Sequence, residues 1–89
     1  MRAIVVDDED LARGIVREYL ASYPDIQVIG ECSSAFDAVK AVAKLKPNFI
    51  LLDVQMPKVN GFEVLQRKAQ GVPFVPESSF LLATHRPAR

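Results

Sequence analysis

The spacing of apolar positions changes repeatedly through the first two thirds of this chain. "RAIVV", closed by Asp7 and Asp8, is a short apolar run without polar alternation, as in a strand buried on both faces. From Leu11 to Tyr23 the period becomes helical. Leu11, Ile15 and Tyr19 form one row, Ala12, Val16 and Leu20 the row beside it, and Pro24 stops the helix. "IQVIGE" then sets Ile26 and Val28 against Gln27 and predicts a second strand, broken at Gly30. Ser34, with Asp37 three residues on, has the spacing of a helix N-cap of capping-box type. The helix behind it is expected to bury Ala38, Val39, Val42 and Ala43, to show Lys40 and Lys44 to water, and to end at Pro47. "FILLD" is a third strand, and Phe62 to about Ala69, set between Gly61 and Gly71, a short third helix.

Strands joined through helices run parallel, and such crossovers are right-handed almost without exception. The alternation therefore predicts an α/β fold built on a doubly wound parallel sheet, its first three strands in the order 2-1-3. After Gln66 the pattern fades. "GVPFVPESSFLLATHRPAR" holds three of the six prolines in nineteen residues, which leaves "SFLLAT" as the one further strand candidate. The chain divides on this reading into residues 1–66, regular, and 67–89, a Pro-containing tail.

Composition narrows the classes. A chain of 89 residues makes one domain at most, and about half of it is hydrophobic and a quarter charged, as in an ordinary globular domain. Net charge is zero but uneven: residues 1–66 carry seven Lys/Arg against ten Asp/Glu (7 − 10 = −3), residues 67–89 four against Glu77 alone (4 − 1 = +3). So short a basic tail is a poor nucleic-acid footprint, and no direct nucleic-acid binding is expected. Cys32 is the single cysteine, which excludes a disulfide framework and a Cys-rich metal site; it reads as a small buried residue. His85 is the single histidine and reads as a solvated tail residue. No apolar run reaches membrane-spanning length, and the N-terminus runs into acidic residues rather than a signal peptide, so a cytoplasmic location is expected. Tyr19 and Tyr23 read as helix packing, and "KAVAKLK" as a solvated amphipathic face.

The candidate chemistry is acidic. In an open parallel sheet, ligands bind beyond the carboxyl ends of the strands, where the strand order reverses. Asp7 and Asp8 end the first strand and Asp53 the third, so a 2-1-3 order gathers three carboxylates at one crevice. Such groups repel one another, and a hard cation removes the conflict; Mg²⁺ takes one or two carboxylates and fills its other positions with water and phosphate oxygens. The plainer alternative makes each aspartate a solvated turn or N-cap residue. Three at converging strand ends, with Glu9 and Asp10 adding charge, favour the cation.

"IVVDDED" followed by "FILLDVQMPKVNGFEVL" resembles the receiver domain of bacterial two-component response regulators, whose fold is flavodoxin-like. "DDEDLAR" with "DVQMP" is similar to receivers attached to LytTR-type DNA-binding domains. The resemblance covers residues 1 to about 66 and implies that Asp53 accepts a phosphoryl group from a sensor histidine kinase. It further implies Asp8 as a direct Mg²⁺ ligand, Asp7 as a partner acting mainly through water, and the Gln55 carbonyl as another ligand. Met56, Pro57 and Gly61 would shape the adjoining loop. Two family contacts to the phosphoryl group, a Thr or Ser ending the fourth strand and a Lys ending the fifth, are harder to find. Thr84 is the one stand-in for the hydroxyl, and no Lys follows Lys68. The expectation is an incomplete receiver, truncated or frameshifted after about residue 66, whose third strand forms an open sheet edge. Two other classes stand beside a phosphorylation-dependent signalling module that is not a turnover enzyme. One is an inactive fragment that self-associates, as a homodimer or larger, through that edge. The other is a Mg²⁺-dependent phosphatase with an Asp nucleophile, disfavoured because Asp53-Val54-Gln55 lacks a second Asp.

Overall fold

The computed structural model describes residues 1–53 and 61–77. Seven elements follow in order: β1 (Arg2–Val6), α1 (Asp10–Leu20), β2 (Gln27–Cys32), α2 (Ala35–Leu45), β3 (Phe49–Leu52), α3 (Phe62–Lys68) and β4 (Phe74–Pro76). They form a parallel sheet in the order β2-β1-β3-β4. The doubly wound parallel sheet expected from the alternation is present.

The uninterrupted apolar run of β1 has the two-sided burial that its pattern implies. Ile4 and Val6 point to one face, joining Ile50 of β3, Ala38 and Val42 of α2 and Leu65 of α3. Ala3 and Val5 point to the other, joining Phe49 and Leu51 of β3 and Val16 and Leu20 of α1. Of the two apolar rows on α1, the sheet takes the one holding Val16 and Leu20, while Leu11 and Ile15 remain exposed. The α1 helix also ends at Leu20, earlier than Pro24 suggests, with Ala21 as its C-cap.

Ser34 caps α2 as expected, its hydroxyl accepting from the Asp37 N–H at 3.1 Å. At the other end Lys46 takes a left-handed conformation (φ 51°) just before Pro47. Arg2, at the start of β1, donates to the last carbonyls of α2, those of Leu45 and Lys46, tying the helix C-terminus to the sheet.

Four expectations need correcting, the first being Ala43, which is exposed and not buried with the rest of the α2 face. Gly30 does not break β2, which runs through it to Cys32. A Cβ there would stand 3.1 Å from Leu45 and 3.4 Å from Ile4, so the glycine lets α2 approach the sheet. The fourth strand is Phe74–Pro76, upstream of "SFLLAT", which lies outside the described residues. With β4 in place, β3 is not an edge: it pairs with β1 on one side and β4 on the other. Pro73 precedes the strand, and Pro76 is tolerated because its missing N–H faces away from β3 on what is the outer strand among the described residues. The Pro73 carbonyl still accepts from the Ile50 N–H at 3.0 Å.

Candidate functional site

Parallel register fixes where the acids stand. Val6 lies opposite Leu52, and Leu52 opposite Pro76. The next residue along each strand is an acid: Asp7, Asp53 and Glu77. All three therefore leave the sheet at the same level, and each offers a carboxylate oxygen within 4.8 Å of the others. This end of the sheet is its carboxyl end, between β1 and β3, where the chain has gone to β2 on one side and to β3 and β4 on the other.

Asp7 is fully buried. Its backbone N–H donates to the Cys32 carbonyl at 2.9 Å, and its Oδ1 accepts from the Glu9 N–H at 2.9 Å, which holds the carboxylate in a tight turn. Arg13, reaching back from α1, donates to the Asp7 carbonyl oxygen rather than to the carboxylate. The guanidinium also pairs with Asp10 and, at 3.4 Å, with Glu31. Asp53 is half-buried, its N–H donating to the Val6 carbonyl at 3.1 Å and so continuing the β1–β3 ladder to the mouth of the site. Glu77 is buried, 6 % exposed, and its Oε2 has no hydrogen-bond partner. Burial, a hydrogen bond shared with the Asp7 side chain, and the negative charges of Asp7 and Asp53 push the Glu77 carboxyl up to about 8, against a weaker opposing pull from Arg13.

Of the residues implied by the resemblance, the structure brings Asp7 and Asp53 together. Asp8 is exposed and stands outside the group. Gln55, Met56, Pro57, Thr84 and His85 lie outside the described residues, whereas Gly61 (φ 89°) caps the start of α3. Glu77 is the member that sequence reasoning missed. It takes the end of the fourth strand, the place for which Thr84 was the expected stand-in. The signal was available: "PFVPE" ends a short apolar run on an acid, as "IVVD" and "FILLD" do. Cys32, at the end of β2, is buried as expected, and burial, then the Asp37 charge, pushes its thiol up while Arg13 pulls it down.

The three carboxylates are hard oxygen donors facing one small space, and they fit a divalent cation of the magnesium or calcium class. Among the described residues no helix is long and apolar enough to cross a membrane.

Comparison with known proteins agrees with this geometry. The response regulator receiver domain family model matches residues 3–76, past the point near residue 66 at which the sequence pattern fades. Transcriptional regulatory protein BtsR of Escherichia coli (strain K12) is 43% identical over 65 residues, covering 73% of this chain and 27% of that protein. A protein-glutamate methylesterase/protein-glutamine glutaminase of Methanospirillum hungatei JF-1 is 37% identical over 70 residues, 79% of this chain and 20% of that one. The chain thus spans about a quarter of the length of the curated relatives it matches. Among solved structures, the response regulator domain of Thermotoga maritima CheB superposes with a TM-score of 0.72 at 32% identity, covering 85% of this chain and 58% of that one. The isolated REC domain of RcsB from Salmonella enterica serovar Typhimurium, at 18% identity, shares the fold with the same score. The chain belongs to the response regulator receiver domain family.

Proposed function

We propose that this chain is the phospho-accepting part of a two-component signalling protein, with Asp53 as the acceptor. The observation that carries this reading is the meeting of Asp53 with the buried Asp7 at the switch point of the sheet. An Asp53 carboxylate oxygen attacks the phosphorus of a phosphohistidine on a sensor kinase. A P–O bond forms, the P–N bond breaks, and the imidazole nitrogen leaves with a proton, giving an acyl phosphate on Asp53. Asp7, Asp53, Asp8 and the Gln55 carbonyl are the residues that would hold Mg²⁺. When bound, the cation offsets the negative charge of the carboxylates and of the incoming phosphoryl oxygens.

The product is a conformational signal and not a released metabolite, so we assign the chain no turnover activity of its own. Its partners on this reading are a sensor histidine kinase and a second copy of the chain, met in the cytoplasm, with no direct contact to nucleic acid or membrane. Attachment to a LytTR-type output domain rests on "DDEDLAR" and "DVQMP" alone.

Incubating the purified chain with acetyl phosphate and Mg²⁺ tests the assignment by intact-mass spectrometry. We expect one added phosphoryl group on the wild type and none on Asp53→Asn. Label that persists on Asp53→Asn, or no label on either, refutes it.

A further inference from the structure

Glu77 has no part in the assignment above, and its environment is unusual. It is 94% buried (100 − 6), one carboxylate oxygen lacks any hydrogen-bond partner, and it faces two further carboxylates. A buried acceptor without a donor is costly, more so when charged, and native proteins leave few such groups. Among the described residues Arg13 is the near cation, and it is engaged with Asp10, Glu31 and the Asp7 carbonyl. Among the described residues, the site therefore gathers more oxygen donors than cations to meet them.

We propose that Glu77 is a divalent-cation ligand, completing with Asp7 and Asp53 a three-carboxylate site that holds a cation without help from phosphate. The proposal rests on the reading of Asp7 and Asp53 as cation ligands. The chemistry follows from the donor count. A Mg²⁺ site with one or two carboxylates borrows oxygens from a bound phosphate and from water. A third carboxylate at the end of β4 supplies one such oxygen from the protein itself. Because the three strand ends are in register, the site needs no loop closure to assemble its donors. Ligand charge is the main lever on divalent-cation affinity, and the unpartnered Oε2 gains the partner it lacks.

Mn²⁺ serves as the probe, titrated into the full chain and followed by electron paramagnetic resonance of the free ion, with no phosphate present. We expect Glu77→Gln to weaken binding by about tenfold or more, since one ligand charge is lost while size and shape are kept. Equal or tighter binding by Glu77→Gln, or no binding by the wild type, overturns the proposal. A second measurement uses the wild type alone and so does not depend on a variant folding. Diamagnetic Mg²⁺ should shift the side-chain carboxyl ¹³C signal of Glu77, as its proton is displaced, together with those of Asp7 and Asp53; a Glu77 signal that stays in place while the other two move also overturns it. Acetyl-phosphate labelling at saturating Mg²⁺ separates the two assignments. No label on the wild type would sink the phospho-acceptor reading, while the Mn²⁺ data would still decide the role of Glu77.

Discussion

Glu77→Gln in metal-free protein isolates the consequence of burying a third carboxylate. The unfolded chain holds this carboxyl at its ordinary value of 4.5, whereas the folded chain raises it to about 8. Between those values the unfolded chain has lost the proton and the folded chain keeps it, so the folded state binds more protons and its stability falls as pH rises. The stabilising proton is fully in place below about 4.5 and its benefit is gone above about 8. A difference of 8 − 4.5 = 3.5 units, at about 1.36 kcal/mol each, sets a ceiling of about 5 kcal/mol. Water entry and side-chain relaxation around the developing charge reduce this, and we expect a loss of about 3 kcal/mol. At about 0.05–0.15 kcal/mol per residue, a chain of 89 residues has roughly 4–13 kcal/mol of stability in all, so the loss is large. Glutamine fills the same volume, can donate an N–H to the Asp7 carboxylate, and stays neutral at every pH. Urea denaturation in EDTA, followed by circular dichroism from about pH 5 to pH 8.5, reads both proteins through the window. The wild type should fall relative to the variant as pH rises, until Glu77→Gln is the more stable by about 3 kcal/mol. A gap between the two that stays constant across the range refutes the reasoning, because Glu77 would then titrate alike in both states.

Two other perturbations test how the elements beside the site are held. Gly61→Ala should destabilise by about 1–2 kcal/mol, since φ is 89° there and a Cβ would stand 2.9 Å from the Phe36 ring. Gly61→Asn, better suited to left-handed backbone, should cost less, and urea midpoints that rank the two variants the other way would refute the backbone argument. Native Cys32, buried and with its thiol pushed up, should react with iodoacetamide at least about tenfold more slowly than the urea-unfolded chain at the same pH. Equal rates would show the thiol to be open to solvent.

Apolar periodicity foretold most of the scaffold because its elements are locally self-consistent. Ser34 and Asp37 mark the start of α2 by chemistry that acts within four residues. The runs before Asp7 and Asp53 mark strands buried on both faces, and those acids are conspicuous because nothing in such a strand needs them. The misses all turn on tertiary placement. Helical period gives two adjacent rows on α1 but not which one the sheet takes; Leu11 is 84% exposed while Val16 is buried. Gly30 breaks strands in general, yet here it admits Leu45 against the sheet. Pro73 and Pro76 argue against a strand unless that strand is outermost, a fact about the sheet and not about the segment. Reading those prolines as breakers is what hid Glu77.

The register also explains why a third acid matters more than its single charge. Neighbouring parallel strands that end at one level deliver their next side chains to one place, so Asp7, Asp53 and Glu77 are driven together by the same ladder that stabilises the sheet. The backbone pairing at Asp53 keeps its carboxylate beside the other two, and a proton or a cation relieves the repulsion. These two answers compete, and that gives Glu77 opposite signs in two conditions. In EDTA at mildly alkaline pH the residue is a burden, and its replacement by Gln raises stability. With Mn²⁺ present the same carboxylate is a ligand, so the wild type should gain more melting temperature from the ion than Glu77→Gln does, because binding to the folded state alone stabilises by mass action. A residue that merely fills space at the end of β4 would show neither sign, and equal Mn²⁺-induced shifts in the two proteins would assign it that role.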